Sequence, residues 1–162
     1  MLRPAMDSDA KAIRAIIRQV QINPNDLDWR RFLVAEDSQG RVIGCGQLKS
    51  HRDGSQELAS IAVLPEWRNR GVARAVIQNL VASHFKTQGE APLYLMCGAS
   101  LGNFYRKFGF QPVLVAEMPP YFRRFYHLVQ AFWHQYDGGA GLLVMKCDSS
   151  HTPPAPQSSG WD

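Results

Sequence analysis

The chain has 162 residues, of which 45% are hydrophobic and 20% are charged, and its formal net charge is +4. This length and composition are typical of a globular protein, and they predict one domain over residues 1–148. The Pro- and Ser-rich residues 149–162 predict a disordered tail. So small a net charge argues against nucleic acid as a partner, although it leaves room for an anionic ligand.

The cysteines and the hydropathy of the sequence argue against several further classes of protein. The three cysteines, Cys45, Cys97 and Cys147, form no CxxC pair and stand near no histidine cluster, which argues against a disulfide framework and against any metal site. No apolar run approaches the roughly 18 residues that a membrane span requires, and the N-terminal residues lack the apolar segment of a signal peptide. We therefore predict a cytoplasmic protein that binds neither metal nor membrane.

Hydrophobic periodicity predicts alternating strands and helices. Strands are predicted at residues 1–5, 31–37, 41–51, 57–64, 91–97, 110–115 and 139–148. Helices are predicted after a cap at Asp7 or Ser8, and at residues 71–86, 100–108 and 119–136. Three successive strands followed by alternation indicate an α/β fold with a mixed, mostly antiparallel sheet of six or seven strands and helices on both faces.

One strand-to-helix turn has the composition of an anion site. The strand over residues 57–64 leads through Pro65 to the segment Arg-Asn-Arg-Gly-Val-Ala and then to a helix. The first N–H groups of a helix are unpaired and its dipole is positive there, so phosphate is a frequent ligand. Gly71 permits close approach, and Arg68 and Arg70 add charged donors. The phosphate motifs GK[ST] and GxGxxG are absent, and a solvated turn is the alternative interpretation.

The segment 57–73 resembles the central motif of the GNAT superfamily of acetyltransferases. In that family an apolar strand leads through Pro to R/Q-x-x-G-x-G/A, whose fixed positions here are Arg68, Gly71 and Ala73. The N-terminal Leu-Arg-Pro-Ala resembles the family's first strand, and the segment 105–110, Tyr-Arg-Lys-Phe-Gly-Phe, resembles its Y-x-K-x-G-F segment. The resemblance covers roughly residues 1–115.

The resemblance implies a GNAT-like fold with a splay between the fourth and fifth strands, and acetyl-CoA as the co-substrate. The implied cofactor-binding residues are Ile61, Ala62 and Val63 for the pantetheine arm, Arg68, Asn69, Arg70, Gly71, Val72 and Ala73 for the pyrophosphate, and Asn103. Many family members have an Asn where this chain has Gly98, so one cofactor contact of the family is missing here.

The resemblance also implies N-acetyltransferase activity, by direct attack of a primary amine on the thioester in a ternary complex. Tyr105 is the implied acid for the departing thiolate, with a tyrosine packed between Phe104 and Phe108 as the alternative. Glu57 is the implied general base, with a solvated strand-end carboxylate as the alternative. Asp26 and Asp28 are weaker candidates for holding a cationic acceptor. The acceptor is a small-molecule amine or a peptide or protein amine. The alternative function is a non-catalytic acyl-CoA-binding regulatory module.

Two features have open interpretations. Cys97, beside a strand end, is interpreted as a buried residue rather than an acetyl-accepting nucleophile. The aromatic and basic segment 119–136 has three interpretations: an acceptor pocket for an aromatic or acidic substrate, a homodimer surface, or an amphipathic helix on the sheet. In the last of these, the side chains that face the core are Phe122, Phe125, Leu128 and Val129.

Overall fold

The computed structural model describes residues 1–22, 24–133 and 141–151. Within these residues the strands are β1 Leu2–Pro4, β2 Phe32–Glu36, β3 Val42–Ser50, β4 Gln56–Val63, β5 Leu93–Gly98, β6 Gln111–Pro112 and β7 Leu142–Cys147. The α-helices are α1 Ala10–Gln19, α2 Val72–Gln88, α3 Gly102–Arg106 and α4 Pro120–Trp133. No described helix combines the length and hydropathy that crossing a membrane requires.

The strands form one seven-stranded sheet in the order β1-β2-β3-β4-β5-β7-β6. The registered pairs are antiparallel except for β4 with β5, which are parallel. That parallel pairing joins Gln56 to Leu93 and Glu57 to Tyr94 and extends no further along the two strands. The predicted mixed, mostly antiparallel sheet and its splay between the fourth and fifth strands are therefore confirmed.

The backbone clusters into two compact units. Of the described residues, the first unit holds Met1–Lys49 and Leu58–Ser83, and the second holds Ser50–Glu57 and the residues from His84 onward. Strand β4 thus begins in the second unit and continues in the first. One domain over residues 1–148 stays a prediction.

In the first unit, helix α2 packs closely against β3 because two glycines of that strand leave space. A Cβ on Gly44 would lie 2.8 Å from Cγ1 of Val72. A Cβ on Gly46 would lie 2.5 Å from Cδ1 of Ile61 and 2.9 Å from Cγ1 of Val76. Real Cβ atoms are not found at such distances, so the position of α2 depends on these glycines.

In the second unit, α4 packs on a core made by Tyr94, Met118, Phe122 and Val144. Phe122 is fully buried, and Phe125 and Val129 are partly buried. The prediction that Leu128 faces the core is wrong, because its residue is 67% exposed. Six residues along a helix correspond to a rotation of about 600°, which places Leu128 about 120° around the axis from Phe122.

Two of the predicted elements need correction. A 3-10 turn, Asp7–Asp9, precedes α1, so the residue before this helix is Asp9 rather than Asp7 or Ser8. The strand predicted at residues 110–115 contains only Gln111–Pro112, because Pro112 has no N–H for the ladder and the chain turns into the 3-10 segment Val115–Glu117.

The last part of the chain is described only in pieces. Residues 134–136 of the predicted helix and 139–140 of the predicted last strand lie outside the described residues. Of the predicted tail, Ser149–His151 form a 3-10 turn, and residues 152–162 lie outside the described part.

An ion pair holds the start of α1 to β1. Arg3 donates to both carboxylate oxygens of Asp9, at 2.6 and 3.0 Å, and also to Glu36. Asp9 in addition accepts the backbone N–H of Met6 at 2.7 Å. The hydrogen bonds from Arg3, with that of Met6, hold the pKa of Asp9 below its usual range although burial opposes this.

We expect Asp9→Asn to lower the free energy of unfolding at pH 7 by about 1–2 kcal/mol, since it removes charge-assisted bonds. A lowered folded-state pKa stabilises the fold above the ordinary carboxyl pKa, and this contribution is lost as the pH falls through the folded-state value. Urea titrations from pH 7 to pH 3 should therefore show the gap between wild type and variant closing. The exposed Asp7→Asn is the control, and a gap that stays constant with pH would contradict this assignment.

Candidate active site

The turn before α2 has an unusual backbone that leaves its surface open. A 3-10 segment, Pro65–Trp67, follows β4, and the chain then turns through Asn69 at φ +62° and Gly71 at φ +83°. Glycine adopts such angles without a steric penalty. A Cβ on Gly71 would meet no atom within 4 Å. Gly71 is therefore needed for the turn, and the space above it is free for a ligand.

Backbone donors and arginines make this turn positive. From Asn69 to Arg74, no backbone N–H has an acceptor within the described part of the chain, and the first helical bond joins Ala75 N–H to the Gly71 carbonyl at 3.0 Å. Arg68, Arg70 and Arg74 are exposed and form no ion pair with any described residue. Such a run of donors at a helix N-terminus can bind a phosphate group.

Strand β4 contains a strained residue directly before Ile61, Ala62 and Val63. Ser60 has φ +57°, which is rare for a non-glycine residue inside a strand. Its hydroxyl accepts a hydrogen bond from Nε2 of the buried Gln47 at 2.9 Å. Backbone strain of this kind is frequent at functional sites. Neither residue was predicted from the sequence, because a serine in a strand pattern carries no signal for a positive φ.

The carboxylate of Glu57 is bound to a histidine, His51, to which the sequence pattern assigned no role. Glu57 is 7% exposed, and its Oε2 lies 2.8 Å from Nε2 of His51. The His51 ring stacks on Tyr121 with a centroid distance of 3.5 Å, and the edge of Phe122 lies against it at 5.7 Å. His51 is therefore held in one orientation from two sides.

The hairpin that carries His51 is anchored to α4. Asp53 accepts the N–H and the hydroxyl of Ser55, at 3.0 and 2.6 Å, and the backbone N–H of Tyr121 at 2.8 Å. Burial acts to raise the pKa of Asp53, but these hydrogen bonds and the nearby His51 hold it below its usual range. Asp53 thus caps the first turn of α4 from a distant loop and fixes Tyr121 over His51.

Helix α3 carries the two other predicted site residues. The Tyr105 ring packs against Phe104 and Phe110, with centroid distances of 5.2 and 6.2 Å. Its hydroxyl bonds to no other group in the described chain. Burial, with a contribution from Cys97, raises the pKa of Tyr105 above the ordinary phenol value, so the phenol is protonated and able to donate at neutral pH. Asn103 is exposed on the same helix.

The two aspartates predicted as weaker acceptor ligands are already occupied. Asp26 pairs with Arg31 at 2.7 Å and with Lys49 at 3.5 Å, and Asp28 accepts the N–H of Arg30 at 3.1 Å. Both carboxylates therefore have cations of their own chain beside them, and a role in holding a cationic acceptor stays a prediction.

The three cysteines, Cys45, Cys97 and Cys147, are buried. Cys97 is 6% exposed, with its Sγ 3.9 Å from Sδ of Met145. Burial raises the pKa of Cys45 to about 12 and that of Cys147 to about 11, so neither forms the reactive thiolate at neutral pH. Among the described residues, no group of three or more His, Cys, Asp or Glu is arranged to hold a metal ion.

The predicted site residues fall into two sets. Ile61–Val63 and the turn 68–73 belong to the first unit, and Glu57, Asn103 and Tyr105 belong to the second. The first set offers open backbone donors, and the second offers an oriented carboxylate and a protonated phenol. The roles predicted for both sets stay predictions.

Comparison with known proteins identifies relatives of this arrangement. An acetyltransferase (GNAT) domain family matches residues 28–112. An uncharacterized N-acetyltransferase of Chlorobaculum tepidum is 30% identical over 84 residues, which are 52% of this chain and 52% of that protein. The chain thus spans about half the length of this curated relative.

Solved structures share the fold. N-acetylglutamate synthase from Neisseria gonorrhoeae, solved with coenzyme A and N-acetyl-glutamate, matches with a TM-score of 0.73 and 20% identity, over 91% of this chain and 34% of that one. A Mycobacterium tuberculosis protein solved with CoA and NLQ matches with a TM-score of 0.70 and 20% identity, over 91% and 98% of the two chains. Since the family match spans more than half of the 162 residues, the protein belongs to the GNAT acetyltransferase family.

Proposed function

We propose that this chain transfers an acetyl group from acetyl-CoA to a primary amine. The observation that carries the proposal is the run of backbone N–H groups from Asn69 to Arg74, which have no acceptor in the described chain and surround a glycine with open space above it. The pyrophosphate of the cofactor is the anion that the family's chemistry would bring to this turn.

Strand β4 supplies the second cofactor contact. Its pairing with β5 ends after Glu57, so the backbone from Ile61 to Val63 has no register pair on that side. The amide groups of a pantetheine arm can satisfy such a strand edge as an added strand would. The strained Ser60 turns the backbone just before this edge, where one N–H, that of Ala62, would polarise the thioester carbonyl.

Glu57 and His51 form the proposed base. An alkylammonium group has a pKa of about 10.4, so most of an amine acceptor is unreactive at neutral pH until a proton is removed. The pair takes up that proton, and the 2.8 Å bond holds the imidazole and the carboxylate in a fixed orientation. The amine nitrogen then attacks the thioester carbon, the C–N bond forms, and the C–S bond breaks.

Tyr105 is proposed to protonate the departing thiolate. The phenol is protonated at neutral pH, and its hydroxyl bonds to no other described group. The proton that Tyr105 gives up returns from solvent, and the products are CoA and the N-acetylated amine. Asn103 is proposed as an additional cofactor contact on the same helix.

The cofactor site is tested by thermal melts with and without acetyl-CoA. Saturating cofactor at 100 times its Kd should stabilise the wild type by roughly 2.7 kcal/mol, because it binds the folded state. Gly71→Glu, which places a carboxylate where the pyrophosphate binds, should lose this shift.

Gly40→Glu is the matched control. Gly40 also has a positive φ, +77°, and open space around its Cα, so backbone strain and added charge are the same in both variants. We expect Gly40→Glu to keep the shift. No shift in the wild type, or equal loss in both variants, would overturn the cofactor site.

Glu57→Gln and His51→Asn should each lower kcat/KM by roughly 10²–10⁴-fold and flatten its decrease toward acid pH, because the pair can no longer take up the proton. The double variant should be no worse than the more damaged single variant, since the two residues act as a unit. The exposed Glu90→Gln serves as the control. Additive losses, or an unchanged pH profile in Glu57→Gln, would remove this pair from the base role.

Tyr105→Phe should lower kcat by roughly 10²–10⁴-fold, the range of a positioned acid. The melting shift produced by acetyl-CoA should stay the same, because the phenol acts on the leaving group rather than on cofactor affinity. Tyr126→Phe is the control for loss of a phenol near the core. A weaker melting shift with unchanged kcat would make Tyr105 a binding residue instead.

The second candidate function is a regulatory module that binds acyl-CoA without turnover. It shares the cofactor site and predicts the same melting shift, but no release of thiol with any amine. The oriented Glu57–His51 pair favours the enzyme, because cofactor binding alone does not require a held carboxylate and imidazole.

A further inference from the structure

A groove in the second unit is connected to Glu57 by one of its lining side chains, that of His51. Its lining includes His51, Arg52, Tyr121, Arg124, Phe125 and Leu128. Glu57 itself does not line the groove, but it is bonded to His51, which does. The other ring nitrogen of His51, Nδ1, bonds to no group in the described chain. A molecule that reaches Nδ1 can therefore give its proton to the ring, and the carboxylate of Glu57 at Nε2 stabilises the resulting imidazolium.

The groove carries positive charge that its own chain does not neutralise. Arg52 and Arg124 are exposed, and neither forms an ion pair within the described residues. The one carboxylate in the lining, Asp53, is already occupied by Ser55 and Tyr121. Two guanidinium groups without a partner favour a ligand that carries a carboxylate.

The groove also has an apolar wall, of which Tyr121 packs against the core as well. Tyr121, Phe125 and Leu128 recur at helical spacing on α4, on a different face from Phe122, which enters the core. Leu128 is 67% exposed. An apolar stripe beside unpaired arginines fits a ligand with an apolar side chain and an anionic group together.

We propose that this groove is the acceptor site, and that the acceptor is a small amino carboxylate with an aromatic or branched apolar side chain. This inference rests on the proposed acetyl transfer. The side chain packs on Phe125 and Leu128, and the carboxylate pairs with Arg124 and Arg52. The amine faces His51, which takes its proton at Nδ1. The nitrogen bonds to the thioester carbon as the C–S bond breaks, and the thiolate is protonated to CoA.

The test compares three acceptors that differ in one group. L-Phenylalanine carries the carboxylate, L-phenylalaninamide has a neutral amide in its place, and phenethylamine has neither. CoA release is measured for each with the wild type, Arg124→Gln and the control Arg123→Gln, whose side chain donates to the Met118 carbonyl and does not line the groove. We expect kcat/KM of the wild type to be roughly 10–100-fold higher for phenylalanine than for the other two amines. This factor corresponds to the free energy of one charge-assisted hydrogen bond.

Arg124→Gln should remove this preference by lowering kcat/KM for phenylalanine alone, and Arg123→Gln should retain it. A binding arm uses the product N-acetyl-L-phenylalanine, which should raise the melting temperature of the CoA complex more than its amide does, except in Arg124→Gln. Equal rates for all three amines, no turnover of phenylalanine, or a preference that Arg124→Gln keeps would overturn the acceptor class.

The two proposals fail in different ways. A melting shift with acetyl-CoA but no preference for the carboxylate overturns the acceptor class and leaves acetyl transfer standing. No shift with acetyl-CoA overturns acetyl transfer and this inference with it.

Discussion

The rest of the site depends on where strand β4 loses its neighbour. Parallel pairing with β5 covers only Gln56 and Glu57, and from Leu58 to Val63 the strand has no register pair on that side. A strand inside a sheet must satisfy its backbone groups on both edges, and we propose that the amides of the cofactor do so along this edge of β4. Along this part of β4 the chain runs from Glu57, through the strained Ser60, to the turn before α2.

The first unit holds the turn before α2, the proposed phosphate site, in place by close packing rather than by polar bonds. Gly44 and Gly46 leave no room for side chains between β3 and α2, so the helix lies directly on the strand and its first turn is fixed relative to β4. Rigid placement matters here, because N–H donors that are already oriented need no reorganisation when a phosphate binds. The arginines around Gly71 add charge, but the backbone supplies the geometry.

The second unit builds its part of the site from a hairpin and a helix that are far apart in sequence. Asp53 joins them by accepting the Tyr121 N–H, and Tyr121 in turn stacks on His51. The orientation of the His51–Glu57 pair is therefore set by α4. The same helix offers Phe122 to the core and a different apolar face to the groove, so one element serves both stability and the proposed acceptor site.

The sequence alone predicted the local features of the structure, because these depend on residues that are adjacent in the chain. The order of strands and helices, the positive turn and the need for glycine at residue 71 all follow from periodicity, helix-end donors and backbone freedom. Tertiary structure alone decided which side chains meet. His51 binds Glu57 and stacks on Tyr121 only after the hairpin and α4 pack together. The exposure of Leu128 likewise depends on which face of α4 the core covers, since both faces are apolar and helical spacing cannot distinguish them.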